Sequence, residues 1–305
     1  MKNSHCKVLA ILITFFTASS SFAQDLEPRR WTPIPLDLQV VGIGYARTSG
    51  DIIFDPVMLV EDVKSEVDIV GLSYVTSFKL HNKLARFDLV VPMAKGKWEG
   101  LVDGVLTKIN REGLLNPKLR VSVNLIGTPA INAKELRNYL AEKKSHTVVG
   151  AAISLSVPVG EYFSDKLINL GDNRYTIRPQ LGLVHTNGNW SYELTGSAFI
   201  YTDNNDFYRN YTRKQKALYT IQSHMIYSLD AGKWVSLSAG YGIGGQSIVD
   251  GVDKNDKKNT LLSAVSFGMP ISRSQSVKIA YVNGQTNSST GSNYNSLLVA
   301  FSQLF

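Results

Sequence analysis

Cysteine is nearly missing from this chain: one residue in 305, Cys6. That excludes a disulfide framework and a cysteine-rich zinc site. No other cluster of His, Asp or Glu has metal-ligand spacing, so neither metal nor cofactor is expected. Beyond the first residues no segment approaches twenty consecutive apolar residues, which excludes a membrane-spanning helix. Lysine and arginine form no basic run, so nucleic acid is not an expected partner. Gly240-Tyr241-Gly242-Ile243-Gly244-Gly245 has the glycines of a nucleotide loop, but no helix follows. Glycine there suits a tightly curved sheet. A nucleophilic enzyme needs a nucleophile within reach of its base, and no such pair is legible. His185-Thr186-Asn187-Gly188 reads as a hairpin turn. An enzyme is therefore not expected.

What is present begins with a leader. Lys2 and Lys7 precede the apolar run 8–16, and Ser21-Phe22-Ala23 precedes Gln24. This is the layout of a cleaved secretory signal peptide, 1–23, whose apolar run is too short to span a bilayer. Its removal takes away Cys6 and two lysines, lowering the net charge from +7 to +5. An exported chain without cysteine points to a fold held by backbone pairing. Residues 24–36 then carry Pro28, Pro33 and Pro35 around Arg29, Arg30 and Trp31. Proline this dense disfavours helix and strand. The segment is expected to be a periplasmic leader or a small plug.

Residues 37–305 alternate apolar and polar in strand-length segments. The segments are 37–48, 63–78, 83–95, 115–127, 145–158, 173–187, 189–202, 214–229, 232–246, 258–271, 274–286 and 292–305. In 174–183, Arg174, Thr176, Arg178 and Gln180 alternate with Tyr175, Ile177, Leu181 and Leu183. Tight turns near 81–82, 187–188, 230–232 and 272–274 alternate with longer links at 49–62, 96–114, 159–172, 203–213, 247–257 and 287–291. One link on the tight-turn side, 129–144, is long and contains a short helix around 135–140. Alternation alone fits a soluble sandwich as well as a barrel with its apolar face outward. Export, absent cysteine, uniform strands, asymmetric links and aromatics near strand ends favour the second. The expected fold is all-β: a transmembrane antiparallel β-barrel of about twelve strands in 37–305, with both termini periplasmic, in the bacterial outer membrane. The last strand ends flush on an aromatic, with Phe301 and Phe305 on one face. That resembles the closing strand of outer-membrane barrels, where it signals to the barrel-assembly machinery.

Pro158-Val159-Gly160-Glu161-Tyr162, then Asn169-Leu170-Gly171-Asp172-Asn173-Arg174-Tyr175 and Pro179-Gln180-Leu181-Gly182, resemble the signature of the MetA-pathway phenol-degradation family. Gly42-Ile43-Gly44-Tyr45, Asp88-Leu89 and Gly96-Lys97-Trp98 are similar to it too. The resemblance covers nearly all of the mature chain. It implies a barrel distantly like the fatty-acid and toluene channels, and uptake of small, often hydrophobic or aromatic compounds.

With the polar set inward, the lumen is expected to hold Arg86, Asp88, Lys118, Arg120, Arg174, Arg178, Glu193, His224 and Lys278. Cations outnumber carboxylates there, which favours anions such as phenolates and carboxylates. The alternative is a structural barrel closed by its own charges, with Arg86 paired to Asp88 or Arg178 to Glu193. A barrel lipid hydrolase is the remote alternative. The apolar link holding Phe54 and Met58, beside Trp98, is an expected entrance groove, or packs against neighbouring loops. In 159–172, Glu161, Asp165, Lys166 and Asp172 form a constriction or lock the loop. The expected partners are a small-molecule substrate, outer-membrane lipid and the assembly machinery.

Overall fold

The computed structural model describes residues 26–54, 60–208 and 210–305; the signal peptide and Met58 lie outside them. The first strands are β1 (Gln39–Ile53), β2 (Val60–Leu80), β3 (Lys83–Val102), β4 (Val105–Leu114), β5 (Lys118–Ile126) and β6 (Ser145–Ser156). Next come β7 (Thr176–Asn187), β8 (Trp190–Tyr201), β9 (Asn204–Phe207), β10 (Tyr211–Gln215), β11 (Leu218–Ser228) and β12 (Trp234–Gly244). The chain finishes with β13 (Ser247–Val249), β14 (Val252–Asp253), β15 (Lys258–Pro270), β16 (Gln275–Thr286) and β17 (Gly291–Leu304). Twelve of these close into one antiparallel, up-and-down barrel. Each pairs with the next barrel strand, and β1 pairs with β17 from Val40↔Leu304 to Ile53↔Gly291. Closure leaves the ring without an edge, as lipid requires of any backbone inside it.

The apolar set faces outward. Leu181, Leu194, Tyr219, Val265 and Leu297 are all exposed, while Gln180, Thr195, Thr220, Ser266 and Gln222 are buried inside. Aromatics mark both rims. Trp190 stacks beside Tyr192 and tilts against Tyr227 at 4.7 Å near the short turns. Tyr175, Tyr219 and Tyr241 lie toward the long links. Because the outward face meets lipid, Leu181→Arg should cost about 2–4 kcal/mol. A lowered urea midpoint for the variant refolded in lipid vesicles checks this; an unchanged midpoint would place Leu181 away from hydrocarbon.

The short turns gather at one end. His81 and Asn82 both adopt positive φ, and so does Gly188, the geometry that lets two residues reverse a twisted ribbon. The 129–144 link sits at this end and does form a helix, α1 (Ala133–Ala141). Asn132 caps it by accepting from Lys134 N and Glu135 N, while Glu135 reaches back to Asn132 N at 3.2 Å. Both ends of the barrel chain meet there too: Phe305 N donates to Gln39 O at 2.9 Å.

The long-link end is more ordered than the sequence suggests. Links 96–114, 203–213 and 247–257 contain strands. β3 continues past the apolar belt and turns back as β4. Its outward face is ionic there, with Lys95 paired to Glu112 at 3.0 Å and Lys108 to Glu99 at 3.2 Å. Charge on the outer face hid this hairpin, because a strand standing in water needs no apolar stripe. β9, β10, β13 and β14 form a second small sheet, ordered β14-β13-β10-β9. The 49–62 link is also shorter than expected, since its ends extend β1 and β2.

Candidate functional site

The lumen at the short-turn end is occupied by the chain's own N-terminal segment. Leu26 lies against Gly240, on the inner face of β12. Arg30 and Trp31 are buried. The indole of Trp31 lies on two glycines that face each other across β6 and β7, Gly150 and Gly182. A Cβ at Gly182 would fall 2.1 Å from Trp31 Nε1, and one at Gly150 would fall 2.4 Å from Trp31 Cζ3. The paired glycines are therefore a slot cut for one indole. Val148, Ala152 and Val184 complete its walls. Trp31 Nε1 donates to Thr195 Oγ1 at 2.8 Å, so its polar edge is satisfied as burial demands.

Inward charges hold the rest of the segment. Glu193 accepts from Arg30 N and Trp31 N, both at 3.2 Å. The Arg30 guanidinium reaches Asp88 at 3.1 Å and Ser122 Oγ at 2.7 Å. Arg120 donates to Glu27 at 2.6 Å and lies 3.6 Å from Asp88. Arg86 also pairs with Asp88. Burial alone would raise the Glu27 carboxyl; Arg120, Arg30 and Arg178 outweigh it and hold the group well below its usual range. This attachment is therefore present at neutral pH and weakens as acid protonates Glu27. Burial, with Arg120 and Arg86 nearby, pulls Arg30 down, while Asp88 and Glu27 hold it up.

The expected pairing of Arg86 with Asp88 is found. The pairing of Arg178 with Glu193 is not, because register separates them: Glu193 stands opposite Val184 on β7, well along the strand from Arg178. Arg178 instead donates to Ser197 Oγ at 3.0 Å and sits 4.5 Å over the Phe199 ring. Lys118 opens β5, and Lys278 lies on β16 opposite Gly268 and Ala300. Arg174 lies higher, just before β7, 4.4 Å over Tyr201.

His224 does have a hydroxyl in reach. Its Nδ1 is 2.8 Å from Ser238 Oγ, and both residues are buried. The sequence search missed this pair because it depends on the β11–β12 register, His224↔Ser238. His224 Nε2 has no protein partner. On its other side the register partner of His224 is Glu193 on β8, whose carboxylate accepts from Arg30 N and Trp31 N. Among the described residues no group of three His, Cys, Asp or Glu is arranged to hold a metal.

The remaining candidates fall at the long-link end. Phe54 follows β1 and is half-buried. Trp98 lies on a strand and not in a loop. It belongs to β3 and is buried with Val67, Ala94, Ile168 and Leu170, against Ile52. The 159–172 loop is locked mostly through asparagine and backbone. Asn169 Oδ1 accepts from Phe163 N at 2.8 Å, Asn169 Nδ2 donates to Lys166 O at 2.9 Å, and Gly171 N donates to Glu161 O at 2.7 Å. Phe301 faces outward on β17, and Phe305 is exposed at the rim.

Comparisons agree with this architecture. The COG4313 outer membrane channel from Pseudomonas putida F1 superposes with a TM-score of 0.77 at 19% identity, covering 92% of this chain and 100% of that one. The transport unit of the autotransporter AIDA-I from Escherichia coli gives a TM-score of 0.52 at 9% identity, over 94% and 95% of the two chains. A Pseudomonas aeruginosa FadL homologue gives 0.41 at 8% identity, over 89% and 90%. That last score is too low to argue from. No curated protein matches in sequence. At these identities the structures speak for the fold: an outer-membrane β-barrel. The family model described as "Putative MetA-pathway of phenol degradation" matches residues 45–296, most of the chain, and the protein belongs to that family.

Proposed function

We propose that the protein is a passive outer-membrane channel for small organic, chiefly anionic, compounds, and that its N-terminal segment closes it. The observation that carries this reading is what fills the lumen. A structural barrel would be filled by side chains of its own wall. Here Asp88, Arg120, Glu193 and the Gly150–Gly182 slot are occupied by residues 27–31, a segment attached at one end. A filling that can leave is a gate. The wall it would uncover carries Arg86, Arg120 and Arg178, which favours anions. The short-turn end, where this segment enters, is the periplasmic end on this reading. β17, with Phe301 and Phe305, is what the assembly machinery engages. No chemistry is assigned to the lumen, and the Ser238–His224 pair is read as wall.

Planar-bilayer recording tests the proposal. The refolded mature chain is expected to be nearly silent. The same chain lacking residues 24–31 should show discrete steps at least about tenfold larger, with a reversal potential in a salt gradient that marks anion preference. Silence from both chains, each folded by heat-modifiable mobility, would refute the channel. Loss of preference on reversing Arg120 to Glu in the truncated chain would place selectivity at that level of the lumen.

A further inference from the structure

A second cationic cluster lies at the other end of the lumen, away from the N-terminal segment. Arg174 precedes β7, Arg213 sits on β10 of the small sheet, and Lys258 opens β15. Arg174 donates to Gln215, two residues along β10 from Arg213; Gln215 in turn donates to Gly245 O, beside Gly244, the register partner of Lys258, and Asp172 and Asp256 stand close enough to act on these cations. Lys254 adds a further buried cation beside Asp250 and Asp256. Both central carboxylates also accept from neutral donors. Asp256 Oδ1 accepts from Ser247 N at 2.5 Å, and Asp172 Oδ2 accepts from Asn116 Nδ2 at 3.3 Å.

Both arginines sit over aromatic rings. Arg174 lies 4.4 Å over Tyr201 and Arg213 lies 5.6 Å over Phe207. Arg174 uses Nη2 on Gln215, yet Nε and Nη1 are buried with no hydrogen-bond partner. Arg213 Nη2 donates to Ser247 Oγ at 3.0 Å. Like charges crowded in a buried place, with two donors unmet, are costly unless an acceptor of opposite charge joins them. Nη2 carries a second hydrogen, so an edge of the guanidinium, Nη2 with Nε or with Nη1, remains open to a two-oxygen anion.

We propose that Arg174, Arg213 and Lys258, roofed by the small sheet, bind the carboxylate or phosphate group of a small solute at the long-link mouth. The biological meaning rests on the channel reading, since the site would be its first station. The binding itself does not. The Arg174 that family resemblance placed in the signature thereby gains a role: it presents a fork that Tyr201 and Gln215 hold in place.

Equilibrium titration of the full mature chain in detergent micelles, with benzoate and separately with inorganic phosphate, tests this. Neutral benzyl alcohol serves as control, and heat-modifiable mobility confirms folding. Saturable benzoate or phosphate binding is expected, with none for benzyl alcohol. Arg174→Gln should weaken it about tenfold or more. Lys258→Met should weaken it less, and Lys97→Gln, on the outer surface, not at all. Arg174→Lys should restore only part, because an ammonium lacks the fork. Phosphate displacing benzoate would identify a general oxyanion site; benzoate alone would identify an aryl carboxylate site. Folded protein that binds neither anion would overturn the proposal, as would affinity unchanged in folded Arg174→Gln and Lys258→Met. Binding by a chain that stays silent in the bilayer would keep the site and remove the channel. A conducting truncated chain without binding would do the reverse.

Discussion

The mature chain carrying Gly182→Ala is expected to conduct like the chain without its N-terminal segment. One added methyl is a small change for a barrel wall, and alanine is at home in a strand facing a lumen. The slot, however, has no room. The new Cβ would lie 2.1 Å from Trp31 Nε1, well inside van der Waals contact. Gly182 is paired with Gly150, whose own space is taken by the same ring, so the indole cannot slide sideways onto its neighbour. Trp31 must therefore leave. It then loses its burial beside Val148 and Val184 and its hydrogen bond to Thr195. Burying a side chain of this size is worth several kcal/mol, about 3–5 by truncation to alanine. That is enough to shift the closed segment from dominant to rare. Single-channel recording reads the result as frequent, long openings, and Trp31→Ala in the unaltered wall should show the same. A Gly182→Ala channel that stays closed, with the 24–36 segment still protected from protease, would mean that the slot does not hold the gate.

Much of the wall was legible because the wall obeys a rule with period two. Each predicted strand corresponds to a barrel strand, with ends displaced by a few residues. Arg174, Thr176, Arg178 and Gln180 alternate with outward Tyr175, Ile177 and Leu181 as written in the sequence. The helix expected around 135–140 is there, and the structure starts it earlier, at Ala133, under an Asn132–Glu135 capping box. Features that depend on register were not legible. Alternation says that Glu193 and Arg178 both point inward; it does not say that β7 and β8 offset them. The same blindness hid Ser238 behind His224. The lumen segment was half legible. Prolines at 28, 33 and 35 rule out a strand, but the reason for its seat is distributed: a tryptophan at 31 and glycines at 150 and 182, joined only by the closed ring. The cationic cluster at the long-link end was missed for a related reason. Arg213 and Lys258 lie in links or at a strand end, where pattern carries no direction, and only the small sheet brings them to Arg174.

Asp88→Asn should then be among the most destabilising single changes in the lumen. Asp88 is buried on β3 and stands among three guanidiniums: Arg30 at 3.1 Å, Arg120 at 3.6 Å, and Arg86 in direct contact. The amide keeps the shape of the carboxylate but not its charge. Buried Arg30 and half-buried Arg86 and Arg120 then lose their shared carboxylate, while Glu27 still reaches Arg120 at 2.6 Å and Arg30 at 4.0 Å. Breaking a buried ion pair by removing one partner costs about 3–5 kcal/mol, because the charge left behind is uncompensated. The wall and the segment divide that cost. Arg86 and Arg120 belong to the barrel, so part appears as a lower urea midpoint for the whole fold. Arg30 belongs to the segment and can escape to water, so part appears as opening. Combining Asp88→Asn with Arg30→Met separates the two. In that background the Arg30 charge is gone while Glu27 still meets Arg120, and the remaining loss of stability should be smaller than with Arg30 in place. A double-mutant cycle on unfolding midpoints measures the difference. Equal losses in both backgrounds would show that Asp88 serves the wall alone and does not hold the gate.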